Sequence, residues 1–118
     1  MRTLTDHIAS PGSDRIEISV MGAPGPGGAH YHYIFDMDGT DSLGFYFQNG
    51  SIPEHGVNGV TQEALLAVVI DRLRSFQSGP FACRENAIAL TKCEEALHWL
   101  HARTRDRMAR GVEGRVTP

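Results

Sequence analysis

Thr61-Gln62-Glu63-Ala64-Leu65-Leu66-Ala67-Val68-Val69-Ile70-Asp71-Arg72-Leu73-Arg74-Ser75-Phe76-Gln77-Ser78-Gly79-Pro80 is the stretch that decides the fold. Leu65, Leu66, Val69, Ile70, Leu73 and Phe76 recur at i, i+1, i+4, i+5, i+8 and i+11, the spacing of one helical face. Thr61 stands where a side-chain oxygen can cap the first turn, so a helix is predicted over 61–77. Ser78-Gly79-Pro80 ends it, because Gly supplies a left-handed cap and Pro forbids continuation. A second helix is predicted over 82–109, with Ile88, Cys93, Ala96, Leu97 and Leu100 inward and Gly111 as terminator. At nearly thirty residues it would be about 40 Å long, more than so small a domain covers alone. Ala64, Ala67 and Val68 add to the main stripe and make the first helix apolar over much of its circumference. Such helices are buried on more than one side, and a second subunit is the expected cover. A homo-oligomer is therefore expected.

Upstream of Thr61 the period drops to two. Ile16-Glu17-Ile18-Ser19-Val20 alternates as a half-buried strand does, and His30-Tyr31-His32-Tyr33-Ile34-Phe35 repeats the pattern with aromatics. A third strand is predicted over Leu43 to Gln48, ended by Asn49-Gly50. Ser10-Pro11-Gly12-Ser13 and the run Gly22 to Gly28 read as loops. The expected fold is α+β in a single domain, 1–118. Residues 1–14 and 22–29 are flexible loops, 15–52 a small antiparallel sheet, and 61–77 and 82–109 the two C-terminal helices.

A chain of 118 residues fits one domain, burying roughly 65% of the surface its unfolded form exposes. The longest apolar run, Ala64 to Ile70, is too short to span a bilayer, and no signal-peptide-like stretch opens the chain. A soluble cytoplasmic protein is expected. Cys83 and Cys93 lie ten residues apart on the second helix, about 15 Å of rise, so they cannot bridge each other. Both are expected to be reduced core residues.

The formal net charge of -3 hides an asymmetry. Residues 72–118 carry nine Lys or Arg against five Asp or Glu, a net +4, whereas residues 1–71 carry two against nine, a net -7. Four of the arginines, Arg103, Arg105, Arg107 and Arg110, close the second helix. Arg103, Arg107 and Arg110 fall at i, i+4 and i+7, where like charges repel unless an anion or acid sits between them, and Asp106 relieves only part of this. Cations complementing a helix dipole would account for part of the cluster without any ligand. Phe76, Phe81 and Trp99 add aromatic faces nearby. Guanidinium forks bind phosphate and an aromatic face stacks on a base, so a nucleotide pocket is the functional expectation. A nucleic-acid groove would want a longer basic face, and the acidic first half opposes a polyanion.

Other motifs are weaker. Phe35-Asp36-Met37-Asp38-Gly39-Thr40 matches the aspartate motif of haloacid-dehalogenase-type phosphatases, which makes a small phosphatase using Asp36 and Asp38 an alternative. That chemistry needs a parallel sheet, a downstream Lys and an acidic pair, whereas the next segment here is another strand, so a hairpin turn is expected at Asp36 to Thr40. His30-x-His32 and His98-x-x-His101 have ligand spacing but no evident third ligand, so no metal or cofactor is expected.

The segment Phe76-Gln77-Ser78-Gly79-Pro80-Phe81-Ala82-Cys83-Arg84-Glu85-Asn86 leads into Ala87-Ile88-Ala89-Leu90-Thr91-Lys92-Cys93-Glu94-Glu95-Ala96-Leu97-His98-Trp99-Leu100. It resembles the helical core of phage-encoded nucleotide sponges. A small sheet and two helices ending in Arg103-x-x-x-Arg107 look most like the first Thoeris anti-defence family. The resemblance covers about residues 45–114. It implies a non-enzymatic protein that sequesters glyco-cyclic ADP-ribose, the signal made by TIR-domain proteins, and thereby inhibits Thoeris immunity in the infected bacterial cell. Anti-CBASS sponges for cyclic di- and trinucleotides share a similar stretch and are the alternative. By resemblance, Phe76 stacks the adenine while Asn86, Arg103 and Arg107 hold the ribose and phosphates. A second, inter-subunit site for cyclic oligonucleotides is implied, with Arg84 as its candidate. Dimers up to hexamers are implied as the assembly.

Overall fold

A computed structural model describes residues 1–38 and 41–112 of the chain. These fall into two compact units, Met1–Val60 and a helical unit that begins at Thr61.

The first unit is a four-stranded antiparallel meander, β1 (Arg2–Leu4), β2 (Ile16–Met21), β3 (His32–Met37) and β4 (Leu43–Tyr46), in the order β1-β2-β3-β4. Its register pairs Ile18 with Phe35, Val20 with Tyr33 and Tyr33 with Phe45. Directly opposed residues share a face, so the alternation seen in the sequence collects Ile18, Val20, Tyr33, Phe35 and Phe45 on one side. There the Phe45 ring stacks on Tyr33 at 5.9 Å and on Phe35 at 5.8 Å, and meets Phe47 edge-on at 5.3 Å. Val20, 1% exposed, is the centre of this layer. On the opposite face His32 stacks on Tyr46 at 4.1 Å.

The three strands expected from alternation are all present, while β1 falls within residues that the sequence pattern leaves as loop. Three residues, Arg2-Thr3-Leu4, are too few to show a period, and what makes them a strand is pairing with Ile18, Ser19 and Val20. Asp36 belongs to β3 and not to the turn expected at Asp36 to Thr40; Gly39 and Thr40 of that turn lie outside the described residues.

After β4 the chain makes a closed loop. Phe47 and Val60 form a parallel bridge, the Gln48 N–H donates to the Val60 carbonyl at 2.8 Å, and the Val60 N–H donates to the Tyr46 carbonyl at 2.8 Å. Amide side chains lace the loop. Asn58 accepts from the Asn49 N–H at 2.8 Å and donates to the Asn49 carbonyl at 2.7 Å, while Gln48 accepts from the Asn58 N–H at 3.0 Å. One helical turn, α1 (Ile52–His55), sits inside it.

The second unit is a helical hairpin, α2 (Gln62–Gln77) and α3 (Arg84–Ala109), packed against each other. Thr61 caps α2 as expected, its Oγ1 accepting from the Ala64 N–H at 3.1 Å. Cys83 caps α3, its Sγ accepting from the Asn86 N–H at 3.4 Å, so α3 starts two residues later than the apolar pattern suggests. Capping places Cys83 in solvent, and Cys93 is only half-buried, which corrects the expectation that both are core residues.

Ile70, 3% exposed, is the most buried apolar residue of α2, with Leu66 and Leu73 half-buried one turn to either side. Along α3, Asn86, Leu90, Cys93, Leu97, Leu100 and Thr104 are half-buried and Arg107 is buried. Steps of four and three alternate without a break along this line, as in a coiled-coil seam. Ile88 and Ala96, expected inward, are exposed: a stripe drawn only through apolar residues misses that Asn86, Thr104 and Arg107 occupy seam positions. Val68 and Val69 of α2 remain exposed, so the apolar girth expected of that helix is left partly in water.

Candidate functional site

The turn end of the hairpin carries Phe76, in the last turn of α2, and Asn86, in the first turn of α3; both are half-buried. Arg72, one turn before Phe76, lays its guanidinium over the Phe76 ring at 5.1 Å from the centroid. An open groove of about 500 Å³ runs along this flank of α2 and is lined by Asp71, Arg72, Ser75, Phe76 and Phe81, among others. Asn86 is not among its lining residues. Phe81 lies in the turn between the helices and does not open α3. Arg84, the first residue of α3, is exposed beside this turn.

The far end of α3 carries the arginines. Arg103 is exposed, and Arg110 pairs with Asp106 at 3.0 Å, so the acid expected to relieve the cluster does so for one member. Arg107 is different: it is 5% exposed, and its Nη2 donates to the Val112 carbonyl at 2.9 Å. Gly111, at φ 72°, reverses the chain here, and the Val112 N–H returns to the Arg107 carbonyl at 3.0 Å. With the Gly111 N–H on the Met108 carbonyl at 3.1 Å, this is a Schellman ending. Arg103 and Arg107 are thus one turn apart, yet only Arg103 faces water.

Within one chain the structure keeps the two ends apart. Seventeen residues of continuous helix separate Asn86 from Arg103, about 25 Å along the axis. Phe76 and Asn86 are neighbours at one end, Arg103 and Arg107 at the other. The groove and the Arg72–Phe76 stack are what sequence reading missed; a cation four residues before an aromatic on a helix is the signal that could have found them.

The aspartate and histidine motifs sit in surroundings unlike those their chemistries use, as far as the described residues go. The sheet is antiparallel throughout, so Asp36 and Asp38 lack the parallel framework of the phosphatase motif. Asp38 pairs with Arg15, and Asp36 accepts a hydrogen bond from the Ser42 hydroxyl. Among the described residues no three His, Cys, Asp or Glu side chains converge as metal ligands would. No helix among them is long and apolar enough to cross a membrane.

The hairpin is itself diagnostic. The family model described as "Acb2/Tad1, hairpin domain" matches residues 41–105, from the start of β4 through most of α3. The chain belongs to the Acb2/Tad1 hairpin-domain family. A relative named Thoeris anti-defense 1, from Bacillus phage SBSphiJ7, is 60% identical over 68 residues, which is 58% of this chain and 48% of the relative. The match thus spans about half the length of that relative. Of the ligand residues implied by resemblance, Phe76, Arg84, Asn86 and Arg103 fall inside the Acb2/Tad1 hairpin-domain match, and Arg107 lies two residues past its end. Strands β1 to β3 lie outside it.

Proposed function

We propose that this protein is a phage anti-defence protein that binds the immune signal glyco-cyclic ADP-ribose, made by TIR-domain proteins, and holds it without cleavage, so that Thoeris immunity is not triggered. The observation that carries this reading is the 60% identity to a relative named Thoeris anti-defense 1. The hairpin has the right chemistry: an aromatic and an amide at one end, and guanidinium groups at the other.

Because those ends are about 25 Å apart, a cyclised dinucleotide cannot touch both within one chain. The site is proposed to form between two copies packed head to tail, with Phe76 and Asn86 from one and Arg103 and Arg107 from the other. Exposed Val68 and Val69 and the overhang of α3 beyond α2 support such packing. Arg103 meets the phosphates from water. Arg107 joins by exchanging the Val112 carbonyl for a phosphate oxygen, a charge-assisted bond roughly twice as strong as a neutral one. Sequestration needs affinity and no catalytic group, and its place is the cytoplasm of the infected bacterium.

The resemblance to cyclic-oligonucleotide sponges gives a second reading, in which cyclic di- or trinucleotides bind at an inter-subunit site, with Arg84, exposed at the start of α3, as its candidate. Calorimetry against glyco-cyclic ADP-ribose and a panel of cyclic oligonucleotides tests both readings. Tight binding of the first supports the proposal; binding of oligonucleotides alone favours the second.

A further inference from the structure

One stripe of α3 lies in water along its middle. Lys92, Glu95, Trp99, Arg103 and Asp106 succeed one another at steps of three, four, four and three, so they share one side of the helix, and all five are exposed. Trp99 leaves 70% of its surface in water and is the only tryptophan of the chain. From Trp99 the stripe reads alike in both directions with the charges reversed. Four residues before it stands Glu95 and four after it Arg103; seven before it stands Lys92 and seven after it Asp106. Three residues to either side are alanines, Ala96 and Ala102. Eleven to either side are Ile88, 43% exposed, and Arg110.

We propose that this stripe is the surface on which two copies of the chain join, their α3 helices antiparallel and Trp99 of each packed against the other. A two-fold axis through Trp99 sets each residue level with the one equally far beyond Trp99 in the second copy, on the same side of the contact. Opposite charges then meet: Glu95 with the partner's Arg103, and Lys92 with the partner's Asp106. The stem of Arg110 covers the partner's Ile88, and the alanines let the helices approach closely. Lys92 already lies 3.7 Å from Glu95 and Asp106 3.0 Å from Arg110, so each pair gains a third member and loses none. Reversal of sign about the centre selects a second copy over an unrelated partner, because only the stripe itself repeats that order backwards. The arrangement also completes the composite ligand site, and in that part it rests on the nucleotide reading above. Asn86 comes level with the partner's Val112, five residues from the partner's Arg107, roughly 8 Å along the axis against about 31 Å within one chain.

The test is sedimentation of the full chain over a dilution series, with the emission of its single tryptophan read on the same samples. Circular dichroism checks that each variant is folded. The parent is expected to pair, and its emission to move to the blue as it does, because pairing takes Trp99 out of water. Trp99→Ala is expected to raise the dissociation constant of the pair by about thirtyfold or more, the scale of a tryptophan at the centre of an interface. Glu95→Arg and Arg103→Glu are each expected to weaken pairing alone. An equal mixture of the two should restore it, because one chain then carries only Arg at these positions and the other only Glu. Pairs whose Trp99 emission stays that of an exposed indole, or reversed chains that do not recover on mixing, overturn the surface. A protein that stays single at every concentration overturns it too. Glyco-cyclic ADP-ribose is then added to the same samples. Binding by a protein that fails these tests overturns the surface and leaves the ligand reading standing; pairing as described without binding supports the surface and overturns the ligand reading.

Discussion

Arg107 and Val112 are bonded to each other twice: the Val112 N–H donates to the Arg107 carbonyl at 3.0 Å, and Arg107 Nη2 donates to the Val112 carbonyl at 2.9 Å. The same side chain, in the last turn of α3, is 5% exposed. A residue implied to hold phosphate is therefore also part of the helix ending, while Arg103, one turn earlier, is exposed and free of that duty. The two arginines should separate in stability and not in binding.

Arg107→Ala removes a buried side chain and its charged donor from a part-buried carbonyl, and is expected to cost about 1–3 kcal/mol of stability. Arg103→Ala is expected to stay within about 0.5 kcal/mol of the parent, as exposed substitutions do. Both should weaken nucleotide binding by about tenfold or more, the scale of a charged hydrogen bond. Thermal unfolding and calorimetry on the two variants check the contrast.

The composite site makes a prediction about mixtures. Copies carrying Phe76→Ala and copies carrying Arg103→Ala should each bind poorly alone. Assembled together, each mixed pair holds one site with both defects and one site with none, so binding should return at about one site per mixed pair, read as stoichiometry by calorimetry. A site contained within one chain would show no recovery.

Gly59 lies where a Cβ would come within 2.4 Å of the Phe47 carbonyl carbon and 2.5 Å of the Tyr46 carbonyl oxygen. Both are backbone atoms held by the bridge between Phe47 and Val60, so neither can move aside cheaply. Gly59→Ala is expected to destabilise the protein by about 1–3 kcal/mol or more, measured by urea unfolding.

Cys83 is a weak cap, with a thiol accepting from the Asn86 N–H at 3.4 Å. Cys83→Asp supplies a better acceptor and a charge that complements the start of α3, and is expected to raise stability by about 0.5–1 kcal/mol. A higher denaturation midpoint with an unchanged slope is the expected readout.

What was legible in the sequence followed from whether a local pattern was long enough to speak. Leu65 to Phe76 spans three turns, so the first helix and its Thr61 cap were readable, as was the alternation of Ile16 to Val20. Arg2 to Leu4 was not, because a three-residue strand exists only through its partners. The inward face of α3 was misread at Ile88 and Ala96, since its seam passes through Asn86, Thr104 and Arg107, which hydrophobicity alone does not mark. For the proposed site, the sequence offers candidate residue types, and the roughly 25 Å between its two ends follows from counting residues along a helix. The burial of Arg107 was not, because it goes with a chain reversal at Gly111, four residues further on. The groove was hidden for a related reason: Phe81 belongs to it through the geometry of the turn and not through any helical period.

The central claim is that the signal is held and not destroyed. The direct measurement is to saturate the protein with glyco-cyclic ADP-ribose, remove free ligand, denature the complex and identify what is released by chromatography and mass spectrometry. Release of intact ligand in proportion to the protein is the predicted result; a linear or hydrolysed product, or no retained ligand at all, would contradict it.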